Sequence, residues 1–318
     1  MRYLILFCFI FLTKINYSQC VFLNAGPDQN LSCLDTCTTL VANYSVFNGT
    51  NSYNIISIPY NPFPYNIGSL YSIPIDDRWS GIINLPFNFC FFGQQYNQFV
   101  LGTNGVISFN LSYSGLYCPW PFINSIPTNW PNPSPGFPRL MIGLYHDINP
   151  LTGGEVRYGL SGTYPCRTFL ISYNNVPHYN CPLNISKFQI ILYELTNIIE
   201  IHVERKQTCG SWNGGRACLG IQNNPGTIGY APPGRNTGNW TINTPEAWRF
   251  SPNGPISSSF RWTDINGNFI SSLSSINICD QTTTKYISVI ENCGVLVKDT
   301  VQLNFININI NTGPIYKE

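Results

Sequence analysis

The sequence predicts an all-β fold: a large antiparallel β-sandwich followed by a smaller C-terminal β-sandwich. Three observations carry this expectation. Short β-rich runs recur between turn residues, no stretch shows the 3.6-residue apolar period of an amphipathic helix, and 26 Gly and 24 Pro residues punctuate the 318-residue chain. Regular short strands with such punctuation are the pattern of a sandwich.

In chain order the runs fall at 85–92, 99–109, 139–145, 155–158, 168–173, 188–195 and 198–203. Across 200–204 polar and apolar residues alternate, as in a strand with one wet face, so His202 is expected to be solvated. Thr196-Asn197 separates the last two runs at hairpin spacing. The turn-rich stretch Ser251-Pro252-Asn253-Gly254-Pro255 marks a boundary, beyond which Trp262 is the expected core plug of a small module. Asn266-Gly267 predicts a type I′ hairpin turn there. In the last run Val301, Leu303 and Phe305 should face Trp262 while Gln302 and Asn304 face water. The shift of phase at Ile306 predicts a bulge or a change of sheet near 305–306. The expected organisation is a signal peptide at 1–19, an N-terminal segment at 20–54, the large sandwich at 55–250, the module at 251–311 and a tail at 312–318.

Met1-Arg2 and the apolar run 3–13 have the make-up of a signal peptide and are too short to cross a bilayer. The mature chain is therefore expected outside the cell or on its outer surface, and not membrane-spanning. Secretion is preferred over lipid anchoring at Cys20, because bulky Gln19 stands where anchoring signals place a small residue. Loss of Cys8 with the leader leaves 11 cysteines without paired zinc-ligand spacings, so disulfides are expected with at least one cysteine left over. Strand direction favours one pairing. Cys181 and Cys209 arrive at the same end of a three-strand meander, whereas Cys166 and Cys181 would be a whole strand apart, beyond the ~7 Å a bridge allows. Cys279 and Cys293, also separated by a strand, are not obvious partners. Lys and Arg (16) nearly cancel Asp and Glu (15), which leaves no field to attract nucleic acid.

Residues able to do chemistry are few. There are three histidines, no Gly-x-Ser-x-Gly elbow, and no nucleophile and base that can be paired, so a non-enzymatic role is expected. Asp147 and Glu155 flank a Gly-rich turn and could offer oxygens to Ca²⁺; the preferred alternative is that Asp147 accepts N–H bonds within its own turn. No cofactor is therefore expected, with Ca²⁺ as the rival. Asp264-x-Asn266-x-Asn268 opens like a calcium loop but lacks its Gly and distal Glu, so a hairpin is preferred. Segment 112–138 sets Tyr117, Trp120 and Trp130 among seven prolines. Rigidly presented aromatics can stack on sugars or anchor a protein partner. The competing explanation is a structural flap over the edge of the sandwich.

Several of these segments carry a resemblance. Leu85-Pro-Phe-Asn-Phe-Cys-Phe-Phe-Gly93 followed by Leu101-Gly-Thr-Asn-Gly-Val-Ile-Ser-Phe109 resembles the opening of nidogen-like extracellular domains. Gly143-Leu-Tyr-His-Asp-Ile-Asn149 and Gly153-Gly-Glu-Val-Arg-Tyr-Gly159 continue the pattern. Ser211-Trp-Asn-Gly-Gly215, Gly220-Ile-Gln-Asn223 and Ala247-Trp-Arg-Phe250 are similar to the close of such domains in large surface proteins of gliding Bacteroidota. The module at 251–311 and the stretch Ala25-Gly-Pro-Asp-Gln29 resemble Ig-like or PKD-like repeats of the same proteins. The resemblance implies a cell-surface adhesin or extracellular scaffold that binds a glycan or protein surface, with other surface subunits as further partners. It also implies type IX export and a C-terminal sorting domain, for which residues 312–318 are too few. The alternative function is a carbohydrate-binding module of a secreted hydrolase.

Overall fold

The computed structural model describes residues 21–32, 37–72, 75–121, 124–128, 139–279 and 282–306. The signal-peptide residues, Cys20, Cys33, Trp130 and the tail lie outside them. Four short strands come first: β1 (Leu23–Asn24), β2 (Gln29–Ser32), β3 (Thr38–Val41) and β4 (Asn43–Tyr44). The chain then builds a large body from β5 (Tyr53–Ile58), β6 (Ser69–Leu70), β7 (Ile83–Phe91), β8 (Gln94–Gly102), β9 (Val106–Ser108), β10 (Met141–Tyr145) and β11 (Glu155–Ser161). It continues through β12 (Thr168–His178), β13 (Cys181–Tyr193), β14 (Ile199–Lys206), β15 (Cys218–Gln222), β16 (Gly229–Tyr230) and β17 (Glu246–Pro252). The last strands are β18 (Ser259–Thr263), β19 (Phe269–Ser271), β20 (Ser275–Ile278), β21 (Thr284–Asn292) and β22 (Val295–Ile306). Only two single 3-10 turns interrupt the strands among the described residues, so the all-β expectation holds.

The large body is a sandwich of a six-stranded sheet, β16-β15-β10-β9-β8-β7, on a seven-stranded sheet, β5-β17-β14-β13-β12-β11-β6. All its pairings are antiparallel. The two inner faces share one apolar core. Phe89, Phe99, Leu101, Ile142 and Leu219 come from one sheet and Ile171, Phe188, Ile190, Ile201 and Phe250 from the other. Alternation along β14 sends Ile199, Ile201 and Val203 into this core, as the sequence pattern requires.

Both outer faces are covered as well, which corrects the expectation of a solvated His202. His202 is buried; its Nε2 bonds Glu200 Oε2 at 2.8 Å and its Nδ1 accepts Asn61 N–H at 3.3 Å. Segment 59–67 lies across this face, and Phe63 N–H bonds Gln189 Oε1 at 2.9 Å. Alternation reports polarity, and these polar residues face a strap instead of water. The outer face of the six-stranded sheet carries a second apolar layer of Trp79, Val100, Val106, Cys118, Ile126, Met141, Tyr145 and Cys218. The described first part of the Pro/aromatic segment therefore acts largely as cover.

The terminal segments form one small body together. β2 pairs in parallel with β22 (Gln29 opposite Leu303), and β3 pairs with β20 (Leu40 opposite Ile276). Leu31, Leu40, Phe47, Phe260, Trp262, Ile290, Val301 and Leu303 share its core. Residues 21–47 thus complete the module that the sequence places at 251–311, and the large body is inserted between them. Trp262 is fully buried and Phe305 packs on its cluster, as the period of the last run requires. β22 continues to Ile306 without a change of sheet; residues 307–310 lie outside the described set. The turn at 264–268 differs from type I′. Gly267 N–H bonds Asp264 O at 3.1 Å and Gly267 alone takes positive φ (85°), because Asp264 Oδ1 fixes the turn by accepting Asn266 and Asn268 N–H.

Among the described residues, two chain crossings and the Cys90–Cys293 bridge join the bodies. The crossings lie side by side: β17 pairs with β5, and Gly49 N–H bonds Pro255 O at 2.7 Å while Gly254 N–H bonds Gly49 O at 2.9 Å. Cys90 of the large body is bonded to Cys293 of the small one. Buried Asn292 donates to Leu195 O at 2.6 Å across the same seam, and Tyr164 Oη donates to Leu296 O. Within the small body Cys37 is bridged to Cys279, so Cys279 and Cys293 each find a partner elsewhere.

Candidate binding site

The end of the large sandwich beyond β12, β13 and β14 gathers side chains from six segments. The motif Leu101-Gly-Thr-Asn-Gly-Val106 organises it. Gly105 adopts φ +82°, and a Cβ there would stand 2.2 Å from Leu144 O, so only glycine closes this turn. The turn aims Asn104 inward, where Oδ1 accepts Ile148 N–H at 3.3 Å and Nδ2 donates to Asp77 Oδ1 at 2.9 Å and Cys118 O at 3.0 Å. Thr103 Oγ1 accepts Arg78 N–H at 3.0 Å. Asp77 and the loop ending at Trp120 are thereby fixed beside Asp147, two residues beyond the end of β10.

Over Asp147 lies a group of rings. Trp212 Nε1 donates to Asp147 Oδ2 at 2.6 Å. The Trp212 ring is 5.1 Å from Trp120, tilted by 38°, and 5.1 Å from Tyr179, tilted by 41°. Asn213 Nδ2 bonds Trp120 O at 3.2 Å. Tyr117 and Tyr179 are exposed, while Trp120 and Trp212 are half-buried. The Cys181–Cys209 bridge, Cα–Cα 5.6 Å, ties the hairpin end carrying Tyr179 to the turn carrying Trp212. It is the pairing that strand direction favours, and it holds two aromatics in register that strand pairing alone would leave free.

The carboxylates beneath the rings are short of partners. Asp147 is 6% exposed, and among the described residues its Oδ1 has no hydrogen-bond partner and Asp76 Oδ2 is buried without one. Burial pushes Asp147 up to about 7, helped by the charges of Asp77 and Asp76 and opposed by the Trp212 N–H. Burial, then Asp77, pushes Asp76 up to about 6; Asp77 is also raised by burial, with Asn104 opposing. Tyr117 is raised to about 12, first by burial and then by Asp77 and Asp147.

Of the sequence-derived candidates, Trp120 and Asp147 meet through Trp212, and Tyr117 lies within reach of the same carboxylates. Trp130 falls outside the described residues. Glu155 does not join Asp147: it is taken up by Arg157, Nε–Oε2 2.8 Å, because both project from the exposed side of β11. Among the described residues no three His, Cys, Asp or Glu side chains are arranged to hold a metal ion. Sequence reasoning passed over Trp212, Tyr179, Asp76 and Asp77. The signal for Trp212 was a large ring in the polar turn Ser211-Trp-Asn-Gly-Gly215, beside a bridged cysteine.

With this geometry in place, the comparison with known proteins has one decisive result: residues 44–254 match the family described as NIDO related. The chain belongs to the NIDO-related family. No curated protein and no solved structure matches it. The NIDO-related stretch spans the inserted body together with its two crossings, so the family unit is the large sandwich and the small body is its host. That family and the bridges Cys37–Cys279, Cys90–Cys293 and Cys181–Cys209 point to an extracellular protein. Cys166 is disulfide-bonded too, whereas Cys118 and Cys218 remain free thiols, buried in the apolar layer under the flap. Burial pushes both thiols up, away from reactivity.

The NIDO-related sandwich also holds a buried polar cluster behind the site. His146 Nδ1 donates to Leu144 O at 2.9 Å, which leaves Nε2 to accept the Ser186 hydroxyl at 2.7 Å. His178 Nε2 then donates to Ser186 Oγ at 3.2 Å. Burial pushes both imidazoles down, His178 to about 3, with Lys206 adding to the effect. Ser186 is wholly buried, so a nucleophile–base contact in outline here ties β10, β12 and β13 together.

Proposed function

We infer that the protein is a non-catalytic binding component of the extracellular space, a surface adhesin or scaffold subunit, whose contact site is the Tyr117/Trp120/Tyr179/Trp212 platform. One observation carries this reading: Trp120, Tyr179 and Trp212 stand ring to ring, with exposed Tyr117 near the same carboxylates, on a disulfide-pinned end of the sandwich where solvent would otherwise favour polar side chains. Flat rings held by a bridge and by backbone hydrogen bonds lose little entropy when a partner docks. Trp120→Ala and Trp212→Ala should each weaken attachment to extracellular glycan or protein surfaces by about 1–3 kcal/mol, with the melting temperature nearly unchanged. Surface-binding assays alongside thermal unfolding separate the outcomes. Full attachment by both variants, or loss of folding in either, overturns the reading. The same rings would suit a carbohydrate-binding module, and a panel of neutral oligosaccharides in the assay tells a sugar ligand from a protein one.

A further inference from the structure

The platform sits on three carboxylates that no basic side chain among the described residues pairs with. Asp76, Asp77 and Asp147 interact with one another electrostatically, yet none forms an ion pair with a Lys, Arg or His among the described residues. The guanidinium of neighbouring Arg78 acts on Tyr71. Their hydrogen bonds are few: Trp212 to Asp147 Oδ2, Asn104 to Asp77 Oδ1, and Asp77 N–H to Asp76 Oδ1. Asp147 Oδ1, on a side chain 6% exposed, and Asp76 Oδ2 accept none from the described residues. Leaving such acceptors unpaired is costly, the more so when they are ionised. A ligand that brings donors and positive charge removes that cost.

The geometry points to a cationic amine as the group this platform takes: an alkylammonium seated against Asp147, Asp77 and Asp76 and walled by Trp212, Trp120, Tyr179 and Tyr117. The inference rests on the binding role proposed above and names the ligand chemistry of that site. A metal ion fits less well, because the carboxylates do not converge into a coordination shell. An ammonium needs no such shell. It has three donors to give, and its charge is attracted to the faces of indole and phenol rings. The hydrogen bond from Trp212 Nε1 to a carboxylate makes that indole richer in electrons and so a better face for a cation. The ammonium has two natural sources, the lysine side chains of a partner protein and the free amines of a glucosamine polymer.

Calorimetric titration of the full chain with penta-lysine and with glucosamine pentamer tests this, each run against its neutral counterpart, Nζ-acetylated penta-lysine and N-acetylglucosamine pentamer. We expect at least one charged probe to bind, its acetylated form to bind at least tenfold more weakly, and the charged probe that binds to identify the source. Asp147→Asn and Asp77→Asn should each weaken that binding at least tenfold. Raising salt from 50 to 500 mM should weaken it several-fold in the unmodified protein. Should Asp147→Asn fail to fold, Asp77→Asn at its partly exposed position and the salt series decide. The inference is overturned if acetylated probes bind equally, if the carboxamide variants keep their affinity, or if neither charged probe binds. Neutral probes that bind, and lose binding only with Trp120→Ala or Trp212→Ala, would sink the cation and leave the aromatic contact site standing.

Discussion

Replacing both Cys90 and Cys293 by serine tests how the two bodies share their stability. Taken alone, a loop of 203 residues closed by this bridge contributes about 5 kcal/mol through the entropy it removes from the unfolded chain. The Cys37–Cys279 bridge shortens the relevant loop. The unfolded chain can run from Cys90 back to Cys37, cross that bridge, and go on from Cys279 to Cys293, a path of about 67 residues. The same relation then gives about 4 kcal/mol. The double variant should lose about that much in guanidinium unfolding followed by tryptophan fluorescence. Its transition should also split, with Trp262 reporting the small body and Trp79, Trp120, Trp212, Trp240 and Trp248 the large one. A loss below about 1 kcal/mol with a single undivided transition would refute this reasoning. It would mean that the paired crossings and the Asn292–Leu195 bond couple the bodies without the bridge.

Three further outcomes follow from buried groups. Lys206 is fully buried, with Trp240 O as its closest acceptor at 2.7 Å, and burial, then Arg235, pushes it down to about 7. The unfolded chain therefore holds a proton that the folded chain releases between pH 10.5 and about 7, and stability falls as pH drops through that window by up to about 1.4 kcal/mol per unit. Lys206→Met should abolish this slope in pH-dependent denaturation. Asp147 titrates the other way: with its folded pKa raised to about 7 from 3.8, its stabilising protonation is complete below the lower value and lost as pH rises through the upper. Asp147→Asn should accordingly gain stability over the unmodified protein from pH 4 to 7, measured as the difference in unfolding midpoint. Gly105→Ala forces a Cβ to within 2.2 Å of Leu144 O at φ +82°; a loss of more than about 2 kcal/mol is expected, and a neutral result would contradict the turn geometry.

Local pattern made part of this molecule legible. The β-rich runs and turn residues placed most strands of the large sandwich, though not β5, β6, β15 or β16, and strand direction singled out the Cys181–Cys209 bridge. What escaped was non-local. Gln29 lies opposite Leu303 across nearly the whole chain, and a parallel pairing of that range leaves no trace in the four residues of β2. Alternation predicted a wet face for His202, since a polar side chain reads alike whether it meets water or the backbone of a strap. Trp120 announced itself as an aromatic among prolines, but its neighbours Tyr179 and Trp212 come from other loops. Only the bridge between Cys181 and Cys209 could have brought them together in advance.

The parallel pairing of β2 with β22 has a mechanical consequence. Tension that draws residue 21 and residue 306 apart pulls two neighbouring strands past each other along their length. The hydrogen bonds from Gln29–Leu303 to Ser32–Ile306 then carry the load together in shear, where an antiparallel end pair would unzip one bond at a time. The inserted sandwich lies outside this line of force, hung from two adjacent crossings and the Cys90–Cys293 bridge. A pull transmitted through the host leaves the aromatic platform unstretched, so grip at the platform and strain along the chain are carried by separate parts of the protein.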